Sequence, residues 1–246
     1  MIATGSAKLL VVDDEVDTCH NLRDILNDVG FEVDVAHSGE EALALFQERH
    51  YDVALLDLKM PGMSGLELYQ RIKEMGRGTV AIIVTAYATH ETAHSALKAG
   101  AWKVLTKPVE LGRLLDLISE AVSRPLVMVV DDDRDLCANL IDLLRDKGFR
   151  VCVAHSTEEA GDRVKIIDAQ VVMIDMRLPG GDGSEVFRMV RTANPQARTI
   201  LITGHRGELE RQIDAVLSDG ADAICYKPFD MSNLLTTLHF LSGKAS

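Results

Sequence analysis

Residues 11–14 have the sequence VVDD, and the same four letters return 118 positions later at residues 129–132. The register between the two copies holds without a gap over a long stretch, because Asp57 aligns with Asp175 and Thr85 with Thr203. Solenoid repeats have periods of ~20 to 50 residues, so a period of this length indicates duplication of a whole domain.

The boundary between the copies falls near Pro125, because proline cannot continue a preceding helix. We therefore expect two domains, residues 1–123 and residues 124–246. The second copy becomes two residues longer before Gly220, since Lys107 corresponds to Lys227 with an offset of 120. We expect the partner-binding faces of the two domains to differ around the fourth helix for this reason.

Short apolar runs alternate with segments of helical period in each half. In the first half the runs are residues 9–12, 33–36, 53–56, 81–84 and 103–106. The first, third and fourth are almost entirely apolar, which is typical of parallel strands buried on both faces by helices. The pattern predicts the α/β class: two doubly wound (βα)5 flavodoxin-like domains, each with a parallel five-stranded sheet.

The first helix is predicted from an apolar stripe formed by Leu22, Ile25, Leu26 and Val29. Gly30 stands directly after this stripe, where a helix commonly ends.

Composition and charge restrict the class of protein. With 47% hydrophobic and 26% charged residues, the chain should be globular. The net charge of −12 and the lack of a basic run argue against contact with nucleic acid.

The opening residues do not resemble a signal peptide and no apolar run could cross a bilayer, so we expect a cytoplasmic protein without membrane contact. The four cysteines have no paired spacing, which favours free thiols.

Polar residues stand at the ends of the apolar runs, in the same order in both halves. They are Asp13, Asp14, Asp57, Thr85 and Lys107 in the first half, and Asp131, Asp132, Asp175, Thr203 and Lys227 in the second. Ligands bind outside the carboxyl ends of the strands in sheets of this kind, so these five groups should meet at one edge of each sheet.

Three neighbouring carboxylates repel one another, and a divalent cation relieves that repulsion. Oxygen ligands without histidine or thiolate favour Mg²⁺, which commonly keeps open positions for phosphoryl oxygens. With an ammonium group also present, one carboxylate can act as a nucleophile and form an aspartyl phosphate. Asp57 and Asp175 are the candidate nucleophiles, because Pro-Gly turns at residues 61–62 and 179–180 would place each at an exposed strand end.

As an ordered set found twice, these residues resemble two response-regulator receiver domains in tandem. The resemblance implies that Asp57 and Asp175 accept phosphate from a histidine kinase or a histidine phosphotransfer protein. It also implies a Mg²⁺ site in each half, whose direct ligands include the phosphoacceptor and the backbone carbonyl of Lys59 or Arg177. By the same resemblance the acids that would hold the metal with them are Asp13, Asp14, Asp131 and Asp132, and the second of each pair, Asp14 or Asp132, would also be a direct ligand. Thr85 and Thr203 would hydrogen-bond the phosphoryl group, and Lys107 and Lys227 would pair with it.

The sequence departs from the family pattern three residues before each lysine, where an aromatic switch residue is usual. Val104 and Ile224 occupy that position. Trp102, Tyr226 and Tyr87 lie nearby, but we expect them to be ordinary packing residues.

Several alternatives remain at this stage. Only one domain could be phosphorylated while the other serves as a docking or dimerisation module. Helix capping would explain one acid of each Asp pair but not Asp57 or Lys107. An electron carrier of the flavodoxin type is disfavoured, because two acids after the first strand would repel a flavin phosphate. A phosphatase with an aspartate nucleophile is disfavoured by Lys59, which stands where such enzymes place a second aspartate.

We therefore expect a phosphorelay signalling protein rather than an enzyme, with at most slow self-catalysed phosphorylation and dephosphorylation. Two receiver-sized domains occupy the whole sequence, so output should pass through a downstream protein. The sequence leaves open whether the chain forms a homodimer.

Overall fold

The structure is a computed structural model that describes residues 7–86, 90–178, 181–204 and 210–243. The chain divides into two compact units, Met1–Ser123 and Arg124–Ser246. Within the described residues, no helix has both the length and the apolar character needed to span a lipid bilayer. Tyr87 and the predicted turn at residues 179–180 lie outside the described residues.

The first unit alternates strands and helices. Its elements are β1 (Lys8–Val12), α1 (Val16–Asp28), β2 (Glu32–Ala36), α2 (Gly39–Glu48), β3 (Val53–Leu56), α3 (Gly65–Glu74), β4 (Val80–Thr85), α4 (His90–Ala99), β5 (Lys103–Thr106) and α5 (Leu111–Ser123). The five strands form one parallel sheet in the order β2-β1-β3-β4-β5. The strand order reverses between β1 and β3, which is where doubly wound sheets open a crevice for ligands.

The second unit repeats this arrangement with one addition. Its elements are β6 (Leu126–Val130), α6 (Arg134–Asp146), β7 (Arg150–Ala154), α7 (Thr157–Ile166), β8 (Val171–Asp175), β9 (Arg177–Leu178), β10 (Gly181–Asp182), α8 (Gly183–Ala193), β11 (Arg198–Thr203), α9 (Glu210–Ser218), β12 (Ala223–Tyr226) and α10 (Met231–Leu241). The order β7-β6-β8-β11-β12 matches the first sheet, and β9 and β10 form a separate antiparallel pair. The fold predicted from the sequence is confirmed.

Each sheet is buried on both faces, because successive side chains of a strand point to opposite sides. In the first unit Leu10 packs with Leu68 in the layer formed by α2, α3 and α4. Leu9 packs with Leu26 and Ile118 in the layer formed by α1 and α5. The sheet is packed between these two apolar layers, and this packing fixes where the residues just beyond the strand ends lie.

The apolar stripe predicted for the first helix is only partly correct. Cys19 and Leu26 are buried, but Ile25 is 37% exposed and Val29 is 51% exposed. The buried residues Cys19 and Leu26 are seven positions apart and therefore lie on one face of the helix. Ile25 directly precedes Leu26 and so lies to one side of that face. All four cysteines are free, as predicted.

Candidate functional site

The polar residues predicted to gather in the first unit lie at the carboxyl ends of its strands. Asp13 directly follows β1 and Asp57 directly follows β3. Backbone hydrogen bonds of the sheet continue past the strand ends, from Asp57 N to Val12 O at 2.9 Å and from Lys107 N to Thr85 O at 2.9 Å. The site residues are therefore held by the same ladder that holds the sheet.

Three carboxylates form a cluster at this edge. One oxygen from each of Asp13, Asp14 and Asp57 lies within 4.8 Å of the others. Asp13 and Asp57 are buried, whereas Asp14 is exposed. The cluster is thus open to solvent on the side of Asp14 and closed on the side of the sheet.

Lys107 neutralises part of this negative charge. Its Nζ donates to Asp13 Oδ2 at 2.5 Å and to Asp57 Oδ2 at 3.0 Å. Burial lowers the pKa of Lys107, but the hydrogen bonds to the two carboxylates outweigh burial, and the net result is a raised pKa. Lys107 is therefore a cation at any physiological pH.

The second unit repeats the cluster with Asp131, Asp132 and Asp175, whose carboxylate oxygens also lie within 4.8 Å of one another. Lys227 Nζ donates to Asp175 Oδ2 at 2.6 Å. It also lies 2.7 Å from Asp131 Oδ2 as an ion pair, although this buried oxygen has no well-aligned hydrogen bond among the described residues. Burial lowers the pKa of Lys227, but its interactions with the carboxylates of Asp131 and Asp175 outweigh burial, and the net result is again a raised pKa.

Asp131 is fully withdrawn from solvent. Burial raises its pKa, and Lys227 and the backbone N–H of Asp133 offset that effect only in part. Keeping Asp131 ionised in the folded chain therefore costs free energy unless a further cation is present.

The two phosphoacceptor candidates are oriented by backbone groups. Asp57 Oδ1 accepts a hydrogen bond from Lys59 N at 3.2 Å, and Asp175 Oδ1 accepts one from Arg177 N at 2.8 Å. The side chains of Lys59 and Arg177 are exposed. The segment two residues after each aspartate thus touches the site through its backbone and faces solvent through its side chain.

Thr85 and Thr203 are the last residues of β4 and β11, and both are buried. Val104 and Ile224, which occupy the position of the usual aromatic residue, are half-buried against the apolar layers. Trp102 packs into the opposite layer of its sheet. The structure thus gives Trp102 an ordinary packing role.

Two site residues were missed by the sequence reasoning. Gly65 and Gly183 lie against the backbone of Asp57 and Asp175. Their signal was present, because they also match in the repeat at an offset of 118.

The donor set fits a hard divalent cation. Each cluster offers only oxygen atoms close enough together to share one ion, which is the chemistry that Mg²⁺ prefers. The buried Asp131 Oδ2 supports the same assignment, because a cation would satisfy an oxygen that lacks an aligned donor.

Comparison with known proteins gives a consistent result. The family model described as the response regulator receiver domain matches residues 9–119 and 127–239. The response regulator receiver protein Anae109_2439 of Anaeromyxobacter sp. strain Fw109-5 is 35% identical over 234 residues, which cover 95% of this chain and 94% of that protein.

Other matches cover one half of the chain. The transcriptional regulatory protein ZraR of Salmonella typhimurium is 38% identical over 119 residues, and the match spans 48% of this chain but only 27% of ZraR. The crystal structure of a CheY-like response regulator receiver domain protein from Methanospirillum hungatei JF-1 is 34% identical, covers 48% of this chain and 94% of that chain, and has a TM-score of 0.46.

Proposed function

Because the chain belongs to the response regulator receiver domain family over both of its halves, we propose that each half accepts a phosphoryl group on an aspartate. The acceptors are Asp57 and Asp175, and the donor is a histidine kinase or a histidine phosphotransfer protein. The observation that carries this proposal is the cluster of three carboxylates and one lysine, present twice at the strand ends.

Mg²⁺ is the cofactor that these residues suit. In the first half Asp13, Asp14, Asp57 and the backbone carbonyl of Lys59 would hold it. In the second half the corresponding ligands would be Asp131, Asp132, Asp175 and the backbone carbonyl of Arg177. When bound, the ion relieves the repulsion among the acids and neutralises charge on the phosphoryl oxygens.

The reaction itself needs little from the protein beyond position and charge. A carboxylate oxygen of Asp57 forms the new O–P bond while the bond between phosphorus and the donor's histidine nitrogen breaks. Lys107 already pairs with Asp57. After the transfer it would pair with the negatively charged phosphoryl oxygens. The Thr85 hydroxyl would donate to a phosphoryl oxygen. Asp175, Lys227 and Thr203 have the same roles in the second half.

The product is a signal rather than a released metabolite. Phosphorylation would bias an existing equilibrium between two conformations and so change the face that binds a downstream protein. Residues 1–123 and residues 124–246 would act as the two signalling domains. Since Val104 and Ile224 replace the usual aromatic residue, the change would reach that face without an aromatic switch.

The proposal is tested by single substitutions and intact-mass measurement after incubation with acetyl phosphate and Mg²⁺. Asp57→Ala and Asp175→Ala should each leave a chain that gains one phosphate, and the double variant should gain none. Asp116→Ala, which removes an exposed aspartate of α5, is the matched control and should gain two. A phosphate on the double variant would contradict the assignment.

The same experiment decides between two active domains and one. If Asp57→Ala gains no phosphate while Asp175→Ala still gains one, the second domain works as a docking or dimerisation module instead.

A further inference from the structure

The helix that follows each proposed phosphoacceptor begins with a buried glycine. Gly65 is the first residue of α3 and Gly183 is the first residue of α8. Neither has a positive φ angle, so the backbone conformation would accept any L residue. The reason for glycine at these two positions must therefore lie in the space around them.

That space is occupied by the backbone of the phosphoacceptor. A Cβ atom added to Gly65 would lie 1.9 Å from Asp57 O and 2.8 Å from Asp57 C. A Cβ atom added to Gly183 would lie 2.5 Å from Asp175 O and 2.8 Å from Met176 Cα. Because the obstructing atoms belong to the backbone, they cannot move aside as a flexible side chain would.

The helix start cannot move away easily either. Ser64 Oγ accepts from Glu67 N at 3.2 Å and Asp182 Oδ1 accepts from Glu185 N at 3.0 Å, which fixes the first turn of each helix. Gly65 N donates to Leu58 O at 3.1 Å. The fully buried Leu68 anchors α3 in the apolar layer.

On the other side, Asp57 N is tied to the sheet by its hydrogen bond to Val12 O. The part free to respond is thus the peptide between Asp57 and Leu58, which leads directly to Lys59. Rotation of that peptide would move the Lys59 N–H that holds Asp57 Oδ1. The carboxylate would then lose the contact with Lys59 N, which sets its orientation together with the contact from Lys107 Nζ.

We infer that Gly65 and Gly183 are positioning residues for phosphoryl transfer. Because they lack a side chain, the first turn of the helix contacts the phosphoacceptor backbone directly. This contact holds the carboxylate in line for attack on phosphorus. The inference rests on the proposed role of Asp57 and Asp175 as acceptors. Replacing the glycine should change the rate of phosphorylation, since the carboxylate itself remains present.

The test uses the full chain carrying Asp175→Ala, so that only Asp57 is available, with Gly65→Ala added. The rate constant for phosphorylation by acetyl phosphate in Mg²⁺ should fall at least about tenfold, because small misplacements of reacting groups cost up to ~100-fold. Gly112→Ala in the same background is the matched control. Its added Cβ would meet only Glu110 Oε1, at 4.0 Å, so its rate constant should not change.

The rate constant and the folded fraction, measured by circular dichroism, together distinguish positioning from loss of folding. A variant that is partly unfolded at equilibrium is phosphorylated more slowly in proportion to its folded fraction. A decrease in rate constant that the folded fraction accounts for in full would therefore overturn the inference. Equal rate constants for Gly65→Ala and Gly112→Ala would overturn it too. If the parent chain with Asp175→Ala takes no phosphate, the proposed function fails instead.

Should Gly65→Ala not fold, the second half provides the decision. Gly183→Ala in the Asp57→Ala background creates a milder overlap and should slow phosphorylation of Asp175 by a smaller factor than that expected at Gly65. A rate constant equal to that of the Asp57→Ala parent, or failure of both glycine variants to fold, would refute the positioning role.

Discussion

Asp131 has no exposed surface, and burial is the main reason that its pKa is raised. Lys227 lies close to both Asp131 and Asp175, so a single ammonium group serves two carboxylates. The proposed function and stability therefore oppose each other at this residue, because a strong cation site would need acids that the folded chain holds at a cost.

We expect Asp131→Asn to stabilise the second domain at pH 7 in the absence of metal, by about 1 kcal/mol, a common size for single substitutions. The substitution removes a buried charge, and Lys227 keeps Asp175 as its partner. Urea unfolding followed by circular dichroism would measure the effect. A lower free energy of unfolding in the variant would contradict it.

The pH dependence of this effect has a definite sign. Since the folded-state pKa of Asp131 is raised, the wild-type chain loses stability as the pH rises through that pKa, whereas the variant does not. The advantage of the variant should therefore shrink as the pH is lowered from 7 towards 4. Mg²⁺ should reverse it, because ligand at 100 times its Kd stabilises the binding chain by about 2.7 kcal/mol.

Lys59 lies two residues after Asp57 and its side chain is exposed. We expect this long cation to screen the phosphorylated aspartate from attacking water. In the Asp175→Ala chain, Lys59→Ala should shorten the half-life of the Asp57 phosphate by about two- to fivefold, which corresponds to a surface electrostatic effect of about 0.4–1 kcal/mol.

Lys59→Arg, which keeps a long cation, is the matched control and should leave the half-life nearly unchanged. Both variants retain the backbone N–H that holds Asp57 Oδ1. An unchanged half-life in Lys59→Ala would mean that the side chain is only a solvated surface charge.

At the scale of elements, the start of the second helix packs against the segment before the third helix in both halves. The two halves place the glycine on opposite sides of this contact. A Cβ on Gly39, at the start of α2, would lie 2.7 Å from Met63 Cβ. A Cβ on Gly181 would lie 2.5 Å from Thr157 Oγ1, at the start of α7. In the repeat Gly39 matches Thr157 and Met63 matches Gly181, so each half fills the space from one side only.

This exchange predicts coupled stability effects in the first half. Gly39→Thr alone should destabilise it by about 1–3 kcal/mol through overpacking against Met63. Adding Met63→Gly reproduces the pair of the second half, and the double variant should be more stable than the sum of the single effects by about 0.5–3 kcal/mol. Denaturant unfolding of the four chains in this cycle measures the coupling, and strictly additive effects would argue against a shared space.

The elements themselves were largely predictable because their signals are strong. The central strands are continuous apolar runs, and the structure places β3 at the predicted residues 53–56. The buried face of α1 was less predictable, because Ile25 and Val29 are apolar yet exposed. The strands β9 and β10 have two residues each and are too short for any periodic pattern.

At the scale of the whole molecule, the duplication allowed the candidate site to be predicted from the sequence. Asp13, Asp57 and Lys107 are far apart in sequence, and their repetition in the same order separated them from ordinary surface charges. Gly65 was not recognised although Gly183 repeats it, because a glycine that permits a close approach between two backbones looks in the sequence like a glycine of any turn. The two extra residues of the second half fall between Thr203 and Gly220, a stretch that includes residues outside the described ranges.

The claim that a divalent cation lets both aspartates attack phosphorus is tested most directly by counting phosphates on the intact wild-type chain. The chain is incubated with acetyl phosphate, in parallel with Mg²⁺ and with EDTA, and weighed by mass spectrometry. We predict two phosphates in Mg²⁺ and none in EDTA. No phosphate in Mg²⁺, or equal phosphorylation under both conditions, would contradict the claim.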